Sequence, residues 1–125
     1  MTPYEQAIDQ LNRRLKEPPA GDVETSHTLD DLGYLYEEAL IRREEISLPI
    51  LHGSVNTVLS VLDWEGEYDL IESSLYSLGW ICDYASSLGK PLVRSSIEAS
   101  IAMCRHEALR EYVDAIREAL GAGSD

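Results

Sequence analysis

Apolar residues recur at intervals of three and four along almost the whole of this chain, interrupted only where prolines and glycines gather. That spacing marks amphipathic helix; a half-buried strand would alternate with a period of two. Tyr4, Ala7, Ile8, Leu11 and Leu15 define a first helix from Pro3 to about Lys16, with Pro3 suited to its first turn. Glu17-Pro18-Pro19-Ala20-Gly21-Asp22 cannot continue it, so residues 17–24 are expected to form a loop. A second helix is expected from a cap at Ser26 or Thr28 to about Ile46. On it Leu29, Leu32, Leu35, Tyr36, Ala39, Leu40 and Ile46 share an arc of about 140° and make the core face. Gly33 at the edge of that arc predicts a close crossing with another helix.

Ser47 can cap a third helix, with Leu48 and Pro49 in its first turn and a stripe of Leu51, Val55, Val58, Leu59, Val61 and Leu62. The valines permit a strand over residues 55–62, but their spacing lies nearer 3.6 than 2. Trp64-Glu65-Gly66-Glu67 reads as a turn, followed by a fourth helix from about Tyr68 to Leu88 that Gly89-Lys90-Pro91 stops. This helix is apolar on two sides. Leu70, Ile71, Leu75, Leu78, Ile81, Cys82, Ala85 and Leu88 form one face, and Tyr76, Trp80 and Tyr84 form an aromatic row nearly opposite. Such a helix belongs in the middle of a bundle.

From Pro91 onward the stripe changes direction. Val93, Ile97, Ile101 and Cys104 define one face, and Leu109, Tyr112, Val113, Ile116 and Leu120 another, rotated by about 120° on a continuous helix. Either a break near Arg105-His106 or one long helix with changing partners accounts for this. Residues 121–125 are expected to fray. With 125 residues, 44% of them hydrophobic, the expectation is a single all-α domain, a compact bundle of five to six helices.

The opening Met1-Thr2-Pro3-Tyr4-Glu5 lacks the basic start and apolar run of an export signal, and no stretch reaches the roughly 18 apolar residues of a membrane helix. A cytoplasmic protein is expected. Cys82 and Cys104 sit among apolar neighbours and read as two reduced, buried thiols, although one helix-to-helix disulfide would also fit. His27, His52 and His106 are far apart in sequence, and His52 reads as packed or capping. Walker and Gly-x-Ser-x-Gly motifs are absent, and Asp63-Trp64-Glu65-Gly66-Glu67-Tyr68-Asp69 misplaces the glycine of a calcium loop. No catalytic residue, metal or cofactor is therefore assigned.

Charge carries more information. The net charge is −13, from 23 acidic and 10 basic side chains, which argues against direct contact with nucleic acid or anionic membrane and for a basic protein partner. Residues 1–21 are neutral and residues 84–125 carry −1, whereas residues 22–83 hold fourteen acids against Arg42 and Arg43 and carry −12. Asp30-Asp31, Glu37-Glu38 and Glu44-Glu45 repeat every seven residues, so on one helix the pairs stack about 10 Å apart. Tyr34 and Ile41 fall inside that acidic arc, like apolar anchors in a charged rim. Asp63, Glu65, Glu67, Asp69 and Glu72 form a second cluster without a base among them.

A solvated acidic face is the plain reading of such runs. Like charges without basic partners stabilise nothing locally, and this points instead to a binding face. The expected function is a non-enzymatic inhibitor occupying the basic surface of a nucleic-acid-handling protein. That logic is shared by nucleic-acid mimics, phage anti-defence (anti-CRISPR) proteins, antitoxins and immunity proteins. The alternative is a helical adaptor that forms a homodimer through Tyr76, Trp80 and Tyr84.

Overall fold

Thr2 and Glu5 cap the first helix reciprocally. The Glu5 amide donates to the Thr2 hydroxyl at 3.1 Å, and the Glu5 carboxylate accepts from the Thr2 amide at 3.0 Å. This opens α1 (Pro3–Lys16), the first element in a computed structural model that describes residues 1–17 and 21–122, Ala122 by its backbone only. The order continues with α2 (Asp22–Arg42), α3 (Leu48–Val61), α4 (Tyr68–Ser87) and α5 (Arg94–Ile101), then a 3-10 turn over Glu107–Leu109 and α6 (Arg110–Ala122). Among the described residues there is no strand, and the fold is a single all-α domain.

Three helix boundaries differ from those read off the sequence. The second helix starts at Asp22, inside the expected 17–24 loop; residues 18–20 of that loop lie outside the described residues. Thr25 and Thr28 turn their hydroxyls back onto the carbonyls of Gly21 and Glu24, each at 2.9 Å, so neither serves as a cap, and Ser26 is buried within the helix. The same helix ends at Arg42, because Arg43 takes a left-handed conformation (φ 55°) and the Glu44 amide turns back to the Ala39 carbonyl at 2.8 Å. Ile46 is fully buried as expected, but on the extended segment that follows the helix. At the other end α6 persists through Ala122, beyond the expected start of fraying, and residues 123–125 lie outside the described residues.

Cross-helix contacts define two layers. Glu5 meets Ser47 and Asn12 meets Ser54, so α1 and α3 run in the same direction. Leu29 meets Ser77 and Arg43 meets Ser87, so α2 and α4 also run parallel. Gly79 faces Ile116 while Cys82 shares a cleft with Ala119, which aligns α6 with them. Helix α5 returns antiparallel to α4: its Ser100 carbonyl accepts from the Trp64 indole at 2.9 Å, near the start of α4, and Arg94 lies beside Ser86 at the end. The result is α2, α4 and α6 side by side with α4 in the middle, as its two apolar faces require, backed by α1, α3 and α5.

Of the two alternatives for the change of stripe, the break near Arg105-His106 is the one present, as residues 102–106 separate α5 from the 3-10 turn. Ile97 and Ile101 are buried, but Val93 is 59% exposed because it precedes the helix and does not share its inner face. Both cysteines are free. Cys82 is buried, and burial pushes its thiol up to about 12, while Cys104 is half-buried.

The core also holds polar groups the apolar pattern could not reveal. The Ser54 hydroxyl accepts from Tyr36 at 2.8 Å and meets both ends of the Asn12 amide, at 3.0 and 3.1 Å. Glu5, also buried, accepts from the Ser47 amide at 2.9 Å; the Thr2 and Ser47 hydrogen bonds hold its carboxyl down at about 2.

Candidate functional site

The site is built where α2 and α4 approach most closely. A Cβ placed on Gly33 would lie 2.7 Å from the Tyr76 ring and 3.2 Å from the Ser77 Cα, so only glycine permits this contact. The Ser77 hydroxyl completes the crossing by hydrogen bonding to the Leu29 carbonyl. The close crossing expected from Gly33 is therefore present, and it brings the exposed flanks of the two helices together.

The first and second acidic rows meet across this crossing. Asp22 and Asp30 of α2 face Glu67, Asp69 and Glu72 at the start of α4 around a cleft of about 440 Å³, with His27, Val23 and Leu70 in its walls. A second cleft of about 330 Å³ continues from it, sharing Asp30, Glu72 and Ser73 and adding Tyr76 and Tyr112. Among the described residues no ion pair involves Asp22, Asp30, Glu67, Asp69 or Glu72. The field of these acids reaches the aromatic rings. Burial first, then Glu37 and Asp30, raise the Tyr76 hydroxyl; burial first, then Glu72, raise that of Tyr112. Further along, burial and the nearby Glu118 raise the Asp83 carboxyl.

Not every acid singled out from the sequence belongs to this surface. Members of one acidic pair separate, with Glu37 near Tyr76 of α4 and Glu38 near Tyr4 of α1. Glu38 is satisfied locally, accepting from Tyr34 at 3.0 Å and from Arg42 at 3.2 Å. The carboxylate of Glu38 also raises the exposed Tyr34 hydroxyl through that hydrogen bond. Tyr34 (54% exposed) and Ile41 (70%) do stand on the outer face, while Asp31 is exposed beside them.

The third pair leaves the row, since α2 has ended before it: the Glu44 carbonyl accepts from Tyr84 at 2.7 Å and Glu45 pairs with Lys90. In the second cluster Asp63 holds the turn, accepting from the Glu65 amide at 3.0 Å, and Glu65 lies 4.0 Å from Arg105.

The aromatic row divides as well. Tyr76 and Trp80 are half-buried at the surface, but Tyr84 is fully buried, in a T-shaped contact with Tyr36 at 5.6 Å. Its hydroxyl accepts from the Ile46 amide at 2.9 Å. A face presenting all three rings does not exist, because the short turn after α2 folds residues 44–46 over Tyr84. Tyr112, assigned to a core stripe from sequence, packs half-buried against the core and also lines the cleft. Its polar tip was the available signal, since such rings favour boundaries. Asp22 was missed because the helix begins earlier than its caps suggested.

Among the described residues no three His, Cys, Asp or Glu side chains are grouped to hold a metal, and no helix is long and apolar enough to cross a membrane. His52 is a packing residue, with Nε2 at 2.8 Å from the Pro91 carbonyl. Comparison with known proteins returns no matching family model, no similar curated protein and no similar solved structure.

Proposed function

We propose that this chain is a small, non-enzymatic binding protein whose α2–α4–α6 face engages a basic surface on a protein partner, one that otherwise holds nucleic acid. The observation that carries this reading is the convergence of acids from two helices on one continuous groove, with no ion pair to any of them among the described residues. Keeping so many like charges together costs stability, and a positively charged partner offsets that cost while the field speeds encounter. Rows of carboxylates present to such a partner the charge it ordinarily finds in phosphates. An inhibitor of the nucleic-acid-mimic kind, acting in the cytoplasm, is the form of activity this surface suits.

The experiment is affinity capture from host lysate at low and high salt, followed by competition with duplex DNA and with RNA. The expected result is a basic partner released by salt and by nucleic acid, and no longer captured by a Glu37→Lys, Glu72→Lys variant. Capture that survives both salt and charge reversal overturns the proposal. A salt-insensitive homodimer that Trp80→Ala dissolves would favour the adaptor reading in its place.

A further inference from the structure

Two tyrosine rings and two carboxylates, drawn from three helices, line the smaller of the two clefts. Asp30 comes from α2, Glu72 and Tyr76 from α4, and Tyr112 from α6, with Ser73 between them. Both rings border the same cleft as the carboxylates, Tyr76 half-buried beside Gly33 and Tyr112 half-buried against the core. Together the four groups provide what an organic cation needs: π-faces for its plane or its methylenes, and carboxylate oxygens for its N–H groups.

From this we infer that the cleft formed by Asp30, Glu72, Tyr76 and Tyr112 is a guanidinium-binding site that receives an arginine side chain of the partner. Arginine is favoured over lysine by shape. A planar fork can stack on a ring and still reach carboxylates at its edge, while an ammonium is a compact, strongly hydrated point charge. The volume of about 330 Å³ admits a whole arginine side chain. Gly33 is part of the construction, since its missing side chain leaves the Tyr76 ring its place over α2. Acids of the adjoining cleft, Asp22, Glu67 and Asp69, then lie where neighbouring basic residues of the same segment would run.

This inference rests on the acidic-face reading and adds the chemistry of its central contact. Hexa-arginine and hexa-lysine peptides test it, titrated into the full chain by calorimetry and by ¹⁵N-resolved NMR. Hexa-arginine should bind roughly fivefold or more tightly than hexa-lysine, the increment expected of a ring–guanidinium contact. Its shifts should centre on the amides of Asp30, Ser73, Tyr76 and Tyr112. Tyr112→Leu should erase the preference for arginine while leaving hexa-lysine affinity within about twofold. Glu72→Gln, which keeps every ring, should weaken both peptides. Equal binding of the two peptides, or an arginine preference that survives Tyr112→Leu in a folded variant, overturns the guanidinium site and leaves the basic-partner reading standing. Binding of neither peptide overturns both.

Discussion

The Tyr76 ring lies where a side chain on Gly33 would have to be, with its Cε2 2.7 Å from the position of the missing Cβ. One absent methyl thus sets the distance between α2 and α4 and the position of a ring that lines the candidate site. Gly33→Ala gains about 1 kcal/mol of helix propensity. Against this stands an overpacking cost of about 1–3 kcal/mol, since the 3.2 Å approach to the Ser77 Cα is to backbone and the helices must part. The expected net loss is about 1 kcal/mol, read from urea unfolding. An unfolding midpoint at or above that of the parent would contradict the tight crossing.

Glu5 gives the fold a defined acid sensitivity. Its carboxyl titrates at about 2 when folded against an ordinary value of 4.5, so the unfolded chain takes up this proton first. The stabilisation is complete above about pH 4.5 and disappears as pH falls toward 2. Glu5→Gln loses part of the capping box and of the link to Ser47, and should cost about 1–2 kcal/mol at neutral pH. Between pH 4.5 and 2 the gap between parent and variant should narrow, which a series of denaturant midpoints measures.

Tyr84 is a structural residue, and its substitution should show that. Tyr84→Phe keeps the ring against Tyr36 but strips the buried Ile46 amide of its acceptor and the Glu44 carbonyl of its donor. Stability should fall by about 1–3 kcal/mol, with the oligomeric state by light scattering unchanged. A change of assembly with no loss of stability would return Tyr84 to the surface role that its burial denies.

The unpaired acids should be a stability cost that salt relieves. Raising ionic strength from about 10 to 200 mM shortens the screening length and should raise the melting temperature of the parent. Asp30→Asn with Glu72→Gln should stabilise the chain at low salt by a few tenths to about 1 kcal/mol and should reduce that salt response. Greater stability with weaker partner binding is the expected trade. Lower stability in this double variant would mean that the two carboxylates hold the fold together.

The helical class and most boundaries follow from local chemistry, and so are legible in the order of residues. Pro3 behind Thr2, the stripe of Leu51, Val55 and Val58, and Gly89 with φ 68° after α4 each act within one or two turns. The excess charge of residues 22–83 is likewise a matter of counting. The boundary errors came where competing local signals had similar strength. Thr28 could cap or bond backward, Ser26 could cap or be buried within the helix, and Arg43 is a non-glycine in a left-handed turn.

The site belongs to the second kind of information. A heptad of acidic pairs looks continuous on paper, yet Glu37 turns toward Tyr76 of α4 and Glu38 toward Tyr4 of α1. The third pair leaves the helix altogether. Asp30 and Glu72 are forty-two residues apart in the chain, and Tyr112 lies forty residues beyond Glu72. They share a cleft because α2, α4 and α6 run parallel through crossover helices, which no local periodicity encodes. Sequence by itself determined that this protein is helical and where its charge lies. Only the packing of α4 between α2 and α6, with Gly33 and Ser77 at the α2 crossing, decided that its acids and tyrosines form one surface.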